Sequence, residues 1–97
     1  MGPLEPFAML APYLRSDARA LKHLRSRAHR ALLAVLAASR REAGLTQREL
    51  ATRLKRPHSY VSKIEAGERR LDVLEFMEIA KVLKVDPVDL FKRFANW

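Results

Sequence analysis

With 97 residues and no cysteine, the chain is long enough for one hydrophobic core and too short for a multidomain enzyme, and disulfides and thiolate chemistry are excluded. Its net charge of +8 is unevenly placed, since residues 26–71 carry eleven Lys/Arg against four Asp/Glu and residues 72–97 carry four against five. A basic surface of this kind favours a polyanionic partner, because cations that face phosphates release condensed counterions.

Residues 1–15 are apolar but interrupted by Pro3, Pro6 and Pro12, which opposes a long helix. The segment lacks the basic leader of a signal peptide and no run in the chain is long enough for a membrane span, so a cytoplasmic location is expected. Ser16 and Asp17 are N-cap candidates for a helix from Ala18, with Leu21, Leu24, Ala28 and Leu32 at helical spacing. Either this helix continues unbroken, or Ser26 caps a separate helix over residues 27–43. In the second case Leu32, Val35, Leu36 and Ala43 pack inward and Gly44 stops the helix. The expected organisation is an extension over residues 1–25 and a helical domain over residues 26–97.

Thr46 is a good N-cap, and Glu49 three residues later can reach back to its amide, which makes a capping box. Leu45 and Leu50 are placed as a hydrophobic staple, Leu50, Ala51 and Leu54 form an inward stripe, and the small Ala51 lets another helix cross closely. Pro57 disfavours helical geometry at Arg56 and is tolerated in a first helical turn, so one helix ends and another begins there. In the second helix Val61 and Ile64 face inward, which leaves His58, Ser59, Ser62 and Lys63 at its start and on its outer face.

After Gly67, Asp72 and Glu75 repeat the capping box, with Leu71 and Phe76 as the staple. The apolar positions Leu74, Phe76, Met77, Ile79, Ala80 and Leu83 predict a helix lying across the core. Asp86-Pro87 opens a last helix with proline in its first turn, Val85 stapled to Leu90, and Phe91 and Phe94 beyond. Three successive starts of one design and no alternating strand pattern predict an all-α domain of five helices.

The residues Gln47, Leu50-Ala51, the run from Ser59 through Tyr60, Val61, Ser62, Lys63 and Ile64 to Glu65, then Gly67-Glu68 and Asp86-Pro87, taken in order, resemble the helix-turn-helix family of phage repressors and Cro proteins, the XRE family. The resemblance spans residues 28–94 and implies a phage-repressor-like fold that binds DNA. It departs in the turn, where the family usually has glycine followed by an apolar residue and this chain has Lys55-Arg56. A left-handed Lys55 would cost about 1 kcal/mol relative to glycine.

The start of the second motif helix is where side chains reach base edges in such folds, which assigns base contact to His58, Ser59, Ser62 and Lys63. Lys63 can donate to guanine O6 and N7, whereas His58 and the serines can donate or accept. Gln47, at the amino end of the first motif helix, suits a phosphate, as the family's backbone clamp does. Arg48, Lys55, Arg56, Tyr60, Arg69 and Arg70 are further phosphate candidates. Glu65 would repel phosphate unless paired, and the family's internal ion pair implies Arg40 as its partner. Such a pair positions a helix more than it stabilises a fold.

His23, His29 and His58 lack metal-ligand spacing and no cysteine joins them, so no metal or other cofactor is expected. No phosphate loop, nucleophile elbow or base and nucleophile pair appears, which argues against an enzyme. Glu75 and Glu78 share a face and read as solvated. The leading function is a sequence-specific transcriptional regulator, a repressor that binds a palindromic operator as a homodimer. Leu90, Phe91, Phe94 and Trp97 are the expected dimer surface. A second reading is an autoregulating antitoxin whose residues 1–25, through Leu4, Phe7, Met9, Leu10, Tyr13 and Leu14, grip a protein partner. A third is a helical protein-interaction module without DNA binding.

Overall fold

Helix starts and stops in this chain are dictated by short-range chemistry, and among the described residues they arrange five helices in order. The computed structural model describes the backbone of residues 18–95 and the side chains of residues 27–95. It contains α1 (Ala18–Glu42), α2 (Gln47–Arg53), α3 (Ser59–Glu65), α4 (Val73–Val82) and α5 (Pro87–Ala95), with no strand among the described residues. The described residues are therefore all-α, with the five helices expected. Helix α1 passes through Ser26 without interruption, which selects the single-helix alternative and carries the helix across residues 25 and 26. The caps proposed at Ser16 and Asp17, the apolar segment from Leu4 to Leu14, and Trp97 lie outside the described residues.

Both capping boxes form. The Thr46 amide donates to Glu49 Oε1 at 2.9 Å and Thr46 Oγ1 accepts from the Glu49 amide at 3.0 Å. The Asp72 amide donates to Glu75 Oε1 at 3.0 Å while Asp72 Oδ1 accepts from the Glu75 amide at 2.8 Å. Each box satisfies two amides that the helix itself cannot. Pro87 opens α5, where the amide it lacks would have had no helical partner.

Helices α1 to α4 all stop on the same pair of hydrogen bonds. The amides of Gly44 and Leu45 reach the carbonyls of Arg41 and Arg40, those of Lys55 and Arg56 reach Thr52 and Ala51, those of Gly67 and Glu68 reach Ile64 and Lys63, and those of Lys84 and Val85 reach Lys81 and Ala80. This is the Schellman closure, which needs a left-handed residue after the cap. Glycine supplies it at Gly44 and Gly67, but Lys55 has φ 58° and Lys84 φ 60°. The turn of the motif thus keeps its shape without glycine, at the cost expected for a side chain in that region. The same substitution at Lys84 was not foreseen, because no local feature distinguishes it from an ordinary surface lysine.

The core joins Leu36 of α1, Leu45, Leu50 and Ala51 around α2, Tyr60, Val61 and Ile64 of α3, Ile79, Ala80 and Leu83 at the end of α4, and Leu90 of α5. Ala51 and Ala80 are both 0 % exposed, and α2 packs directly on α3. A methyl at position 51 permits that close crossing, and a longer side chain would overpack it. Three inward assignments need correction. Ala43 is exposed, since it is the cap residue from which the chain turns away. Leu74 and Met77 are 71 % and 49 % exposed, because only the face of α4 carrying Glu75, Ile79 and Ala80 is buried.

Candidate nucleic-acid interface

Helix α3 is seven residues long and buries Tyr60, Val61 and Ile64. These three positions already cover one side of so short a helix, so His58, Ser59 and Lys63 are left exposed and Ser62 half-buried. The Tyr60 amide donates to the Pro57 carbonyl at 2.9 Å, so Pro57 opens the first turn as its fixed φ favours. His58 stands at the N-cap with φ −57° and ψ −29° and makes no side-chain cap, which leaves its imidazole free for another partner. The Ser62 hydroxyl donates to the Ser59 carbonyl at 3.0 Å.

The carboxyl end of α3 is held by a buried polar cluster. Arg40 donates from Nε to Glu65 Oε2 at 2.7 Å and from Nη2 to Glu65 Oε1 at 3.1 Å. Its Nη1 donates to the Leu45 carbonyl at 2.7 Å. Gln47 Nε2 donates to Glu65 Oε1 at 2.8 Å. The two charged side chains are 9 % and 10 % exposed, and among the described residues no buried side-chain nitrogen or oxygen lacks a partner. Satisfying every member is what makes a buried ion pair tolerable. The cluster ties the ends of α1 and α3, the turn at Gly44 and the start of α2 into one unit. Gln47 is its third member, a role that was not foreseen; the second amide proton of its side chain remains to donate to a phosphate.

A second cluster holds the amino half of α3. Tyr60, expected at the DNA backbone, is 6 % exposed and its hydroxyl donates to Glu75 Oε2 at 3.1 Å. That assignment is corrected: position 60 borders the buried Val61, and α4 offers a carboxylate that draws the phenol inward. Arg69, also expected at phosphate, is spent in the same cluster. It pairs with Glu75 at 2.8 Å, donates from Nη1 to Glu75 Oε1 at 3.1 Å, and lies 4.7 Å from the centre of the Tyr60 ring. Glu75 is accordingly not solvated but 8 % exposed. Its carboxyl is held at about 2, first by the Arg69 hydrogen bonds and then by the Asp72 amide, against the opposing effect of burial. Burial, followed by the hydrogen bond to Glu75, pushes the Tyr60 phenol up, and the same carboxylate raises Arg69. A tyrosine beside two inward apolar residues, needing a partner for its hydroxyl, was the only signal of this cluster in the sequence.

The remaining phosphate candidates stay near the surface. Arg48, Lys55 and Arg70 are exposed and Arg56 is half-buried. Arg56 stacks 5.2 Å from the Tyr60 ring centre and approaches Glu78 at 3.4 Å. Arg48 donates from Nε to His58 Nδ1 at 3.1 Å, bridging α2 to the start of α3. The arrangement presents an outer α3 face of two rotatable donors and acceptors, an imidazole and an ammonium, flanked by guanidinium groups. Such a face can hydrogen-bond base edges while its neighbours neutralise phosphates. No group of residues able to hold a metal occurs among the described residues, and none of their helices is long and apolar enough to cross a membrane.

A second surface is apolar. Val73, Leu74, Met77, Val88 and Phe91 are between 49 % and 73 % exposed, and all but Leu74 border a groove between α4 and α5 that also takes in Leu32, Phe76 and Phe94. Phe91 and Phe94 meet edge to face at 5.8 Å. Leu90 must be removed from the expected dimer surface, since it is 1 % exposed and closes the core of its own chain.

A helix-turn-helix family model matches residues 36–90. A solved structure of an XRE-family like protein from Pseudomonas syringae pv. tomato str. DC3000 is similar to the chain, with 44 % identity over 81 % of this chain and 96 % of that one and a TM-score of 0.76. No curated protein matches.

Proposed function

The chain belongs to the XRE family of helix-turn-helix proteins, and from that membership we propose that it is a sequence-specific DNA-binding transcriptional regulator that lays α3 in the major groove. The observation that carries this reading is the division of α3 into a locked inner face and an exposed polar outer face at His58, Ser59 and Lys63. A groove about 12 Å wide admits a helix, and the rigid seat spares the protein the entropic cost of ordering it on binding. Ser62 contributes from the edge of that face. Gln47, Arg48, Lys55, Arg56 and Arg70 would neutralise phosphates on either side.

One such helix makes few base contacts, so the protein acts as a two-fold dimer on a roughly palindromic operator with half-sites about 34 Å apart. The exposed apolar residues of α4 and α5, Phe91 foremost, supply the surface for a second copy. Repression then follows from occupying a promoter. Residues 26–97 carry this activity, and residues 1–25 are the segment offered to a protein partner. Selection of binding sites from random duplex DNA tests the proposal: a recurrent, inverted-repeat sequence is expected, and equal weak retention of all duplexes at low salt would refute it.

A further inference from the structure

A neutral imidazole offers a donor at one nitrogen and an acceptor at the other, so a histidine at the start of a groove-binding helix could read either kind of base edge. Here the neighbour removes the choice. Arg48 Nε donates to His58 Nδ1 at 3.1 Å, and a guanidinium nitrogen is only ever a donor. The Nδ1 atom must therefore keep its lone pair, which places the proton on Nε2 and turns the Nδ1 edge toward α2. The outward edge is then a donor.

We propose that Arg48 is a positioning residue that fixes His58 as a hydrogen-bond donor toward DNA, so that the base read by His58 offers an acceptor, guanine being favoured and cytosine rejected. The proposal rests on the reading of α3 above. In the major groove guanine presents two acceptors, N7 and O6, whereas cytosine presents only its N4 donor. Arg48 also keeps both Nη groups for the DNA backbone, so a single side chain couples the phosphate grip to the base contact. The hydroxyl of Ser62 carries no such restriction, since its bond to the Ser59 carbonyl is a helical back-bond that a base can replace by rotating one torsion.

The test uses the full chain and duplexes selected from random DNA. The position whose preference vanishes in His58→Ala should be guanine in wild-type selections. Replacing that guanine by 7-deazaguanine or by 2-aminopurine, which remove N7 and O6 in turn, should weaken wild-type binding about tenfold in at least one case and leave His58→Ala unaffected. Arg48→Met should reduce the guanine over cytosine ratio at that position from about tenfold to about threefold or less, while the preference set by Lys63 persists. In the free protein, two-bond proton–nitrogen spectra should show Nδ1 as the unprotonated nitrogen, and Arg48→Met should move it toward the value of a freely tautomerising ring. Cytosine at the His58-dependent position, a protonated Nδ1 in the neutral ring, or an unchanged ratio in Arg48→Met would overturn the inference alone, as would a selected sequence indifferent to His58→Ala. Absence of any selected sequence would overturn the DNA reading and this inference with it.

Discussion

Removing Arg40 probes the cluster that seats α3. Arg40→Ala deletes two hydrogen bonds to Glu65 and one to the Leu45 carbonyl, and leaves a carboxylate that is 10 % exposed with Gln47 as its one remaining partner in the cluster. Stripping one member from a buried pair costs about 3–5 kcal/mol, most of it the penalty of the stranded charge. The whole stability of a domain this size is on the order of 5–10 kcal/mol, so the variant should fold at low temperature. In a small domain each kcal/mol moves the midpoint by about 4–8 °C, so thermal unfolding followed by circular dichroism should show a fall of roughly 12–40 °C. The double variant Arg40→Met with Glu65→Leu should recover most of the loss, because apolar replacement of a buried pair is often neutral. It should nevertheless bind the selected duplex more weakly than wild type, since Gln47 loses its anchor. A midpoint for Arg40→Ala within about 3 °C of wild type, with DNA affinity intact, would refute the reasoning.

Glu75 makes stability depend on acid. Its folded carboxyl lies at about 2 against an ordinary 4.5, so its contribution is complete above pH 4.5 and is lost as pH falls toward 2; a pH titration of unfolding should show that loss for wild type and a much smaller one for Arg69→Met. Lys55→Gly and Lys84→Gly should each raise stability by about 1 kcal/mol by relieving a left-handed side chain, measured by denaturant unfolding, whereas only Lys55→Gly should weaken DNA binding. Phe91→Asp should convert a dimer to a monomer in sedimentation and lower affinity for the palindrome, and a wild-type chain that sediments as a monomer at all concentrations would refute the assigned surface. Lys63→Ala should change which bases are selected at a cost of about 1–3 kcal/mol at the preferred site, while Gln47→Ala should weaken all sequences alike.

The boundaries of α2, α3, α4 and α5 were legible because their causes lie within a few residues: Thr46 with Glu49, Asp72 with Glu75, and Pro57 and Pro87 act across a single turn. The general location of the candidate site was legible for the same reason, since Pro57 places the next helix and its period separates Val61 and Ile64 from Ser59 and Lys63. What lay across the chain was not. Tyr60 is drawn inward by Glu75 of another helix, Gln47 joins a pair formed by Arg40 and Glu65, and His58 is turned by Arg48. None of these partners is a sequence neighbour. Leu74 and Met77 were misplaced because α4 is apolar around much of its girth, and periodicity cannot then say which face the core takes. At Lys84 the hydrogen bonds of the closure tolerate a left-handed lysine, so composition gives no warning.

The most direct test of the account is the amide spectrum of the full chain titrated with its selected duplex. The largest changes should fall on His58, Ser59, Ser62 and Lys63, with smaller ones at Gln47, Arg48 and the turn at Lys55, and none at Val73 or Leu74 beyond what dimerisation alone produces. Changes concentrated on α4 and α5, with α3 undisturbed, would contradict the placement of α3 in the groove.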